Sequence, residues 1–160
     1  MSAIDFSGGW VNFPRPKTEI RRCVPLWPET VEALRAAIDE RPIAKDVDED
    51  GLCFLTRTGQ RWVRVQRKRG EEAFVSLDPL SQRFSRLLKS LGINGRRGLG
   101  FYTLRHAFET IGGESRDQVA VNAIMGHVDQ SMAGVYRERI SDERLRAVTD
   151  TVRAWLYADG

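Results

Sequence analysis

From Thr103 to Leu156 the apolar residues return at helical intervals. Four successive segments carry the pattern, at about 103–111, 116–125, 129–138 and 142–157. Stripes of this period need neighbouring elements to bury them. The last segment opens with Ser141-Asp142-Glu143, a capping signal with acids where the helix dipole favours them. Its stripe is Leu145, Val148, Val152 and Leu156. The second and third segments meet at Gly126, the residue type that closes one helix before another opens.

Ahead of these helices the pattern changes. Residues 4 to 13 flank Gly8-Gly9 with apolar residues, which reads as a short hairpin. Pro14 and Pro16 bracket Arg15 and interrupt regular pairing, and Ile20 to Leu26 reads as a further strand. Pro28 starts a helix at its first turn, with Val31, Leu34 and Ile38 on one face and Pro42 beyond its end. Leu52 to Leu55 reads as a short strand. Asp78-Pro79 caps and opens a helix carrying Leu80, Phe84, Leu87, Leu88 and Leu91, with Gly92 as its stop. The expected fold class is mainly α with a small N-terminal antiparallel β-sheet, an α+β architecture, with residues 1–160 forming a single domain.

The 160 residues are 41% apolar and 29% charged, enough for one hydrophobic core. No apolar run approaches the length of a membrane span. The N-terminus lacks the charged-then-apolar layout of a secretion signal, so a cytoplasmic protein is expected. Cys23 and Cys53 stand far apart without CxxC spacing and read as thiols.

The net charge is only +3, but the basic residues cluster. Arg57, Arg61, Arg64, Arg67, Lys68 and Arg69 fall in one stretch with no acid among them, and Arg96-Arg97 form a second knot. Clusters of this kind can neutralise phosphates, which makes these eight residues candidate DNA contacts. The bland alternative is a solvated basic face.

Arg105 stands early in a helical segment, just after a Gly/Arg-rich loop, where its planar fork suits two phosphate oxygens. His127 follows Gly126, and Tyr136 comes nine residues later. Each in isolation would be an ordinary surface, capping or core residue. In order, however, Tyr-Thr-Leu-Arg-His-Ala-Phe-Glu-Thr at 102–110, Met-Gly-His at 125–127 and Tyr136 resemble the signature of the tyrosine recombinases, the phage-integrase family. The N-terminal half is similar too, with Pro16-Lys17-Thr18 resembling the family's sheet turn and Arg22, Val24, Pro25 and Leu26 its Arg-x-Val-Pro-Leu strand. Residues 44 to 76 match least.

The resemblance implies a catalytic domain that breaks and rejoins duplex DNA through a 3′-phosphotyrosyl intermediate, using neither metal nor cofactor. Tyr136 matches the nucleophile, Arg105 the second family arginine, and His127 the hydrogen-bond donor after the glycine. Lys17 matches the lysine that protonates the leaving 5′-oxygen. Arg105 and His127 are therefore expected side by side, about one hydrogen-bonded phosphate apart. Tyr102 stands where the family has histidine; its hydroxyl can donate to a phosphate oxygen but cannot act as an imidazole.

The family's first arginine lies ahead of the segment that begins here at Ser2. The chain is accordingly expected to be a partial catalytic domain of a longer recombinase, also lacking the N-terminal DNA-clamping domain and cleaving poorly by itself. Its expected partner is double-stranded DNA, and its expected place is the cytoplasmic nucleoid. The C-terminal helix either folds back on its own core, the favoured reading, or packs against a second protomer. The alternative is a non-catalytic helix-turn-helix-like DNA-binding module over Val119 to Ile140, with Gly126 in the turn.

Overall fold

The structure, a computed structural model, describes residues 2–15, 19–67, 74–93, 98–127, 131–132, 134 and 139–158. The chain forms two compact units. One joins Ser2–Ala33 to Arg105–Gly160, and the other, the central unit, comprises Leu34–Leu104.

A single carboxylate organises the start of the first unit. Asp5 Oδ1 accepts hydrogen bonds from Ser7 N (3.0 Å), Ser7 Oγ (2.7 Å) and Gly8 N (2.9 Å). These donors, the Gly8 amide foremost, hold the Asp5 carboxyl below its usual range. A Cβ on Gly8 would crowd Asp5 Oδ2, so a larger residue there would displace the carboxylate that organises the turn. The turn joins β1 (Ile4–Asp5) to β2 (Trp10–Asn12), which pairs in turn with β3 (Cys23–Pro25). All pairs are antiparallel, with Ile4 opposite Val11 and Val11 opposite Val24. Pro25 is tolerated because β3 is an edge strand. The expected N-terminal sheet is therefore present, with its third strand shorter than predicted.

The helices of this unit are α1 (Pro28–Asp39), which crosses into the central unit, and α3 (Thr103–Gly113), which enters from it. They are joined by α4 (Gln118–Met125) and α5 (Asp142–Leu156). The predicted helix at 129–138 lies largely outside the described residues. The core is built from Ala120, Val121, Ile124 and Met125 of α4 against Leu145 and Val148 of α5. Trp10, Val24, Phe108, Ala123 and Ile140 pack around it. Val121 and Val148 are fully buried, each contributing about 1.5–3 kcal/mol by leaving water.

The stripe of α5 is thus buried within its own unit through Leu145, Val148 and Val152. Leu156, expected on the same buried face, is 53% exposed at the last position of the helix. Ser141 also departs from expectation. It stands at the N-cap of α5, yet its side chain makes no capping bond; its hydroxyl serves the Glu143 carboxylate instead. The lead-in and first turn of α1 are tied to α5 by Trp27 Nε1 donating to Thr149 O (3.0 Å) and by an ion pair between Arg153 and Glu29.

In the central unit, β4 (Arg64–Arg67) pairs antiparallel with β5 (Phe74–Leu77), and α2 (Pro79–Ser90) follows. Asp78 caps α2 by accepting from Leu80 N and Ser81 N, as its sequence signal implies. Leu52 to Leu55 is not a strand. That segment is fixed by a guanidinium rather than a ladder: Arg41 Nη1 donates to Asp50 O and Leu52 O, both at 2.7 Å. Phe84 of α2 meets Phe101 edge-on at 5.3 Å, and no residue of α2 is fully buried.

Candidate phosphate site

The site is built around one helix terminus. Asp117 starts α4 by accepting from Ala120 N (3.0 Å), and its carboxylate is clasped by Arg144 through Nε (2.6 Å) and Nη2 (2.7 Å). The Arg144 bond, and less so the backbone donors, hold the Asp117 carboxyl below its usual range. The helix ends at Gly126, whose φ of 66° lies in the left-handed region that favours glycine. Gly126 N donates to Ala123 O (3.0 Å) and His127 N to Asn122 O (2.9 Å), the paired bonds of a Schellman termination. This turn delivers His127 at a fixed angle.

Arg105, near the start of α3, reaches the same place. Its Nη2 donates to Met125 O (2.7 Å) and lies 3.0 Å from His127 Nε2. Arginine has no lone pair to offer, so the histidine nitrogen accepts. The ring proton then resides on Nδ1, which faces Asn122 Oδ1 at 3.5 Å. Both Nη2 hydrogens of Arg105 are engaged. Its Nε and Nη1 hydrogens have no partner among the described residues.

Two further guanidiniums arrive from the hairpin that joins β2 to β3. Backbone pairing continues beyond the strands, with Phe13 N donating to Arg22 O and Arg15 N to Ile20 O, both at 3.0 Å. Arg15 Nη1 donates to Gly126 O (3.0 Å). A Cβ on Gly126 would lie 3.3 Å from Arg15 Cδ and 3.6 Å from Arg22 Cδ, so both side chains lie against the turn. Burial first, then the charges of Arg105 and Arg15, push the Arg22 guanidinium below its usual range. No ion pair among the described residues includes Arg15, Arg22 or Arg105. Among those residues the arrangement is a cluster of positive charge with no carboxylate paired to it.

Of the residues singled out from sequence, Arg105 and His127 are thus adjacent. Lys17 and Tyr136 lie outside the described residues, as do Lys68, Arg69, Arg96 and Arg97. Tyr102 belongs to the central unit, 63% exposed in the turn before α3. Arg57 is exposed, and Arg67 is described by its backbone in β4. Arg61 is not part of an acid-free run in space. Glu49, itself buried, accepts from its Nε (2.7 Å) and from its backbone N (2.8 Å), which raises the Arg61 guanidinium above its usual range. Arg64 Nη1 donates to Gln60 Oε1 (2.6 Å). Sequence reasoning did not place Arg15, Arg22 or Asn122 in the site; the signal for the first two is a pair of arginines flanking one hairpin tip.

A family model for the phage integrase family matches residues 1–143. The chain belongs to the phage integrase family. It is therefore a domain of the site-specific recombinase and integrase class, and the matched span contains Arg15, Arg22, Arg105 and His127 as well as Lys17 and Tyr136. No curated protein and no solved structure matches the chain. Among the described residues, no helix of this integrase-family chain is long and apolar enough to cross a membrane.

Proposed function

We propose that this domain binds duplex DNA through its phosphates and supplies the breaking-and-rejoining centre of a tyrosine recombinase. The observation that carries the reading is the acid-free contact between Arg105 and His127 on the Gly126 turn. Phosphoryl transfer concentrates negative charge on the non-bridging oxygens, and fixed donors aimed at them stabilise that state most. Arg105 offers its Nε and Nη1 hydrogens, and His127 offers Nε2. Because Nε2 accepts from Arg105 in the DNA-free state, donation from Nε2 to a phosphate oxygen goes with exchange of the ring tautomer.

In this scheme the Tyr136 hydroxyl attacks phosphorus and gives up its proton to water, the bond to the 5′-oxygen breaks, and Lys17 gives that oxygen a proton. A 5′-hydroxyl then attacks the phosphotyrosine and reverses each step.

Binding of a 30-base-pair duplex of arbitrary sequence, measured over a salt series, tests the first half. Affinity that falls steeply with salt, and less steeply in Arg105→Gln, is expected. Salt-sensitive binding that ignores Arg105→Gln points instead to a helix-turn-helix module. For the second half, the chain is incubated with supercoiled plasmid, and covalent protein–DNA adducts are trapped under denaturing conditions. Adduct carried on Tyr136 and absent from Tyr136→Phe is expected; adduct that survives in the phenylalanine variant rules out the assigned nucleophile.

A further inference from the structure

The scheme above engages one arginine of the three that meet at the Gly126 turn. Arg15 has a structural task, since its Nη1 holds Gly126 O and its stem packs over the glycine. Arg22 has almost none. Among the described residues its one side-chain hydrogen bond runs from Nε to Phe13 O at 3.3 Å, a long contact, and its four Nη hydrogens have no protein partner there. It is half-buried, beside two like charges. Taking a guanidinium partly out of water beside like charges, without a counter-charge, opposes folding. An anion seated against the solvent-reached Nη groups of Arg22 offsets that penalty.

We infer that Arg22 is a further phosphate-contacting residue, its Nη hydrogens sharing with Arg105 and His127 the oxygens of one DNA phosphodiester while Arg15 fixes the turn that carries His127. The inference rests on the phosphate-site reading given above and assigns it a second guanidinium. Two forks on one phosphate can take both non-bridging oxygens, leaving the histidine free for a bridging or shared oxygen.

The test uses the whole 160-residue chain and a 30-base-pair duplex of arbitrary sequence, comparing wild type with Arg22→Gln, Arg22→Lys and Arg105→Gln. Removing one phosphate-neutralising side chain lowers the slope of log K against log salt by about 0.9. Arg22→Gln is expected to lose about one such step and several-fold in affinity, and to melt no lower than wild type without DNA, because a like-charge contact has been removed. Arg22→Lys is expected to keep the slope while binding more weakly, since the charge remains and the fork does not. If Arg105→Gln lowers the slope and Arg22→Gln does not, Arg22 is only a packing residue and the inference fails alone. If neither lowers it, the phosphate site itself is wrong and the inference falls with it. Should Arg22→Gln not fold, the Nε–Hε resonance of Arg22 in the wild-type chain decides. Movement on addition of the duplex supports the contact, and a stationary resonance overturns it.

Discussion

Gly126→Ala is the sharpest probe of how the fold holds the site. At a φ of 66° an L-residue brings its Cβ against the following carbonyl, which costs about 1–2 kcal/mol. The new methyl would also lie 3.3 Å from Arg15 Cδ and 3.4 Å from Arg15 Cβ, tight enough that the arginine must shift by a few tenths of an ångström. That shift strains the Arg15 hydrogen bond to Gly126 O. The expected destabilisation is about 1.5 kcal/mol, a fall in melting temperature of about 3–6 °C for a chain of this size. Gly126→Asn, which tolerates the left-handed region better, should lose about half as much. Urea unfolding followed by circular dichroism gives the midpoints, with the slope m unchanged if only the native state is affected. DNA affinity of the alanine variant should fall as well, because His127 and Arg15 move with the turn. A Gly126→Ala protein within about 0.3 kcal/mol of wild type would refute the claim that this residue is held in its conformation by the surrounding structure.

Three further outcomes are expected. Asp117→Ala removes both the α4 cap and the Arg144 ion pair and should cost about 1–2 kcal/mol, while Asp117→Asn, which keeps a capping oxygen, costs less. Because the folded carboxyl is held below its usual range, the ion pair's contribution is complete above about pH 4 and disappears as the pH falls through the folded value. Unfolding midpoints of wild type and Asp117→Asn, measured across a pH series, should accordingly converge at the acid end and diverge toward neutrality. Val148→Ala should cost about 2 kcal/mol by leaving a cavity, measured by chemical denaturation. Gly112→Ala places its methyl 3.3 Å from Val148 Cγ1, so the double variant should recover at least about 0.5 kcal/mol relative to the sum of the two singles.

The helices and the N-terminal hairpin were legible because periodicity and Gly/Pro punctuation are local signals. Asp78-Pro79, Gly92 and Gly126 each mark a real boundary for the reason their chemistry implies. Ser141 shows the limit of that reasoning, since a hydroxyl at an N-cap has more than one acceptor within reach, and here a carboxylate took it. Leu52 to Leu55 carries a strand-like composition but pairs with no strand among the described residues, and Arg41 satisfies the backbone carbonyls that begin it. Arg105 and His127 could be paired from motif order alone. Arg15, Arg22 and Asn122 could not, because their part depends on which side of a hairpin faces a turn 111 residues further along the chain. Arg61 likewise has a neighbour that its surroundings in the sequence do not show, since the fold brings Glu49, twelve residues upstream, against it.

The long reach from Arg15 to Gly126 also bears on how the molecule is made. Arg15 and Arg22 come from the first segment of a unit whose other segment carries Arg105 and His127, with the whole central unit lying between them in the chain. Loop-closure entropy grows only slowly with length, so the span itself is not prohibitive, but nothing local rewards the closure before the hairpin docks. The positive cluster therefore exists only once both segments of the unit have come together. In a nascent chain that ends before the second segment, Arg15 and Arg22 have neither Arg105 nor His127 to meet.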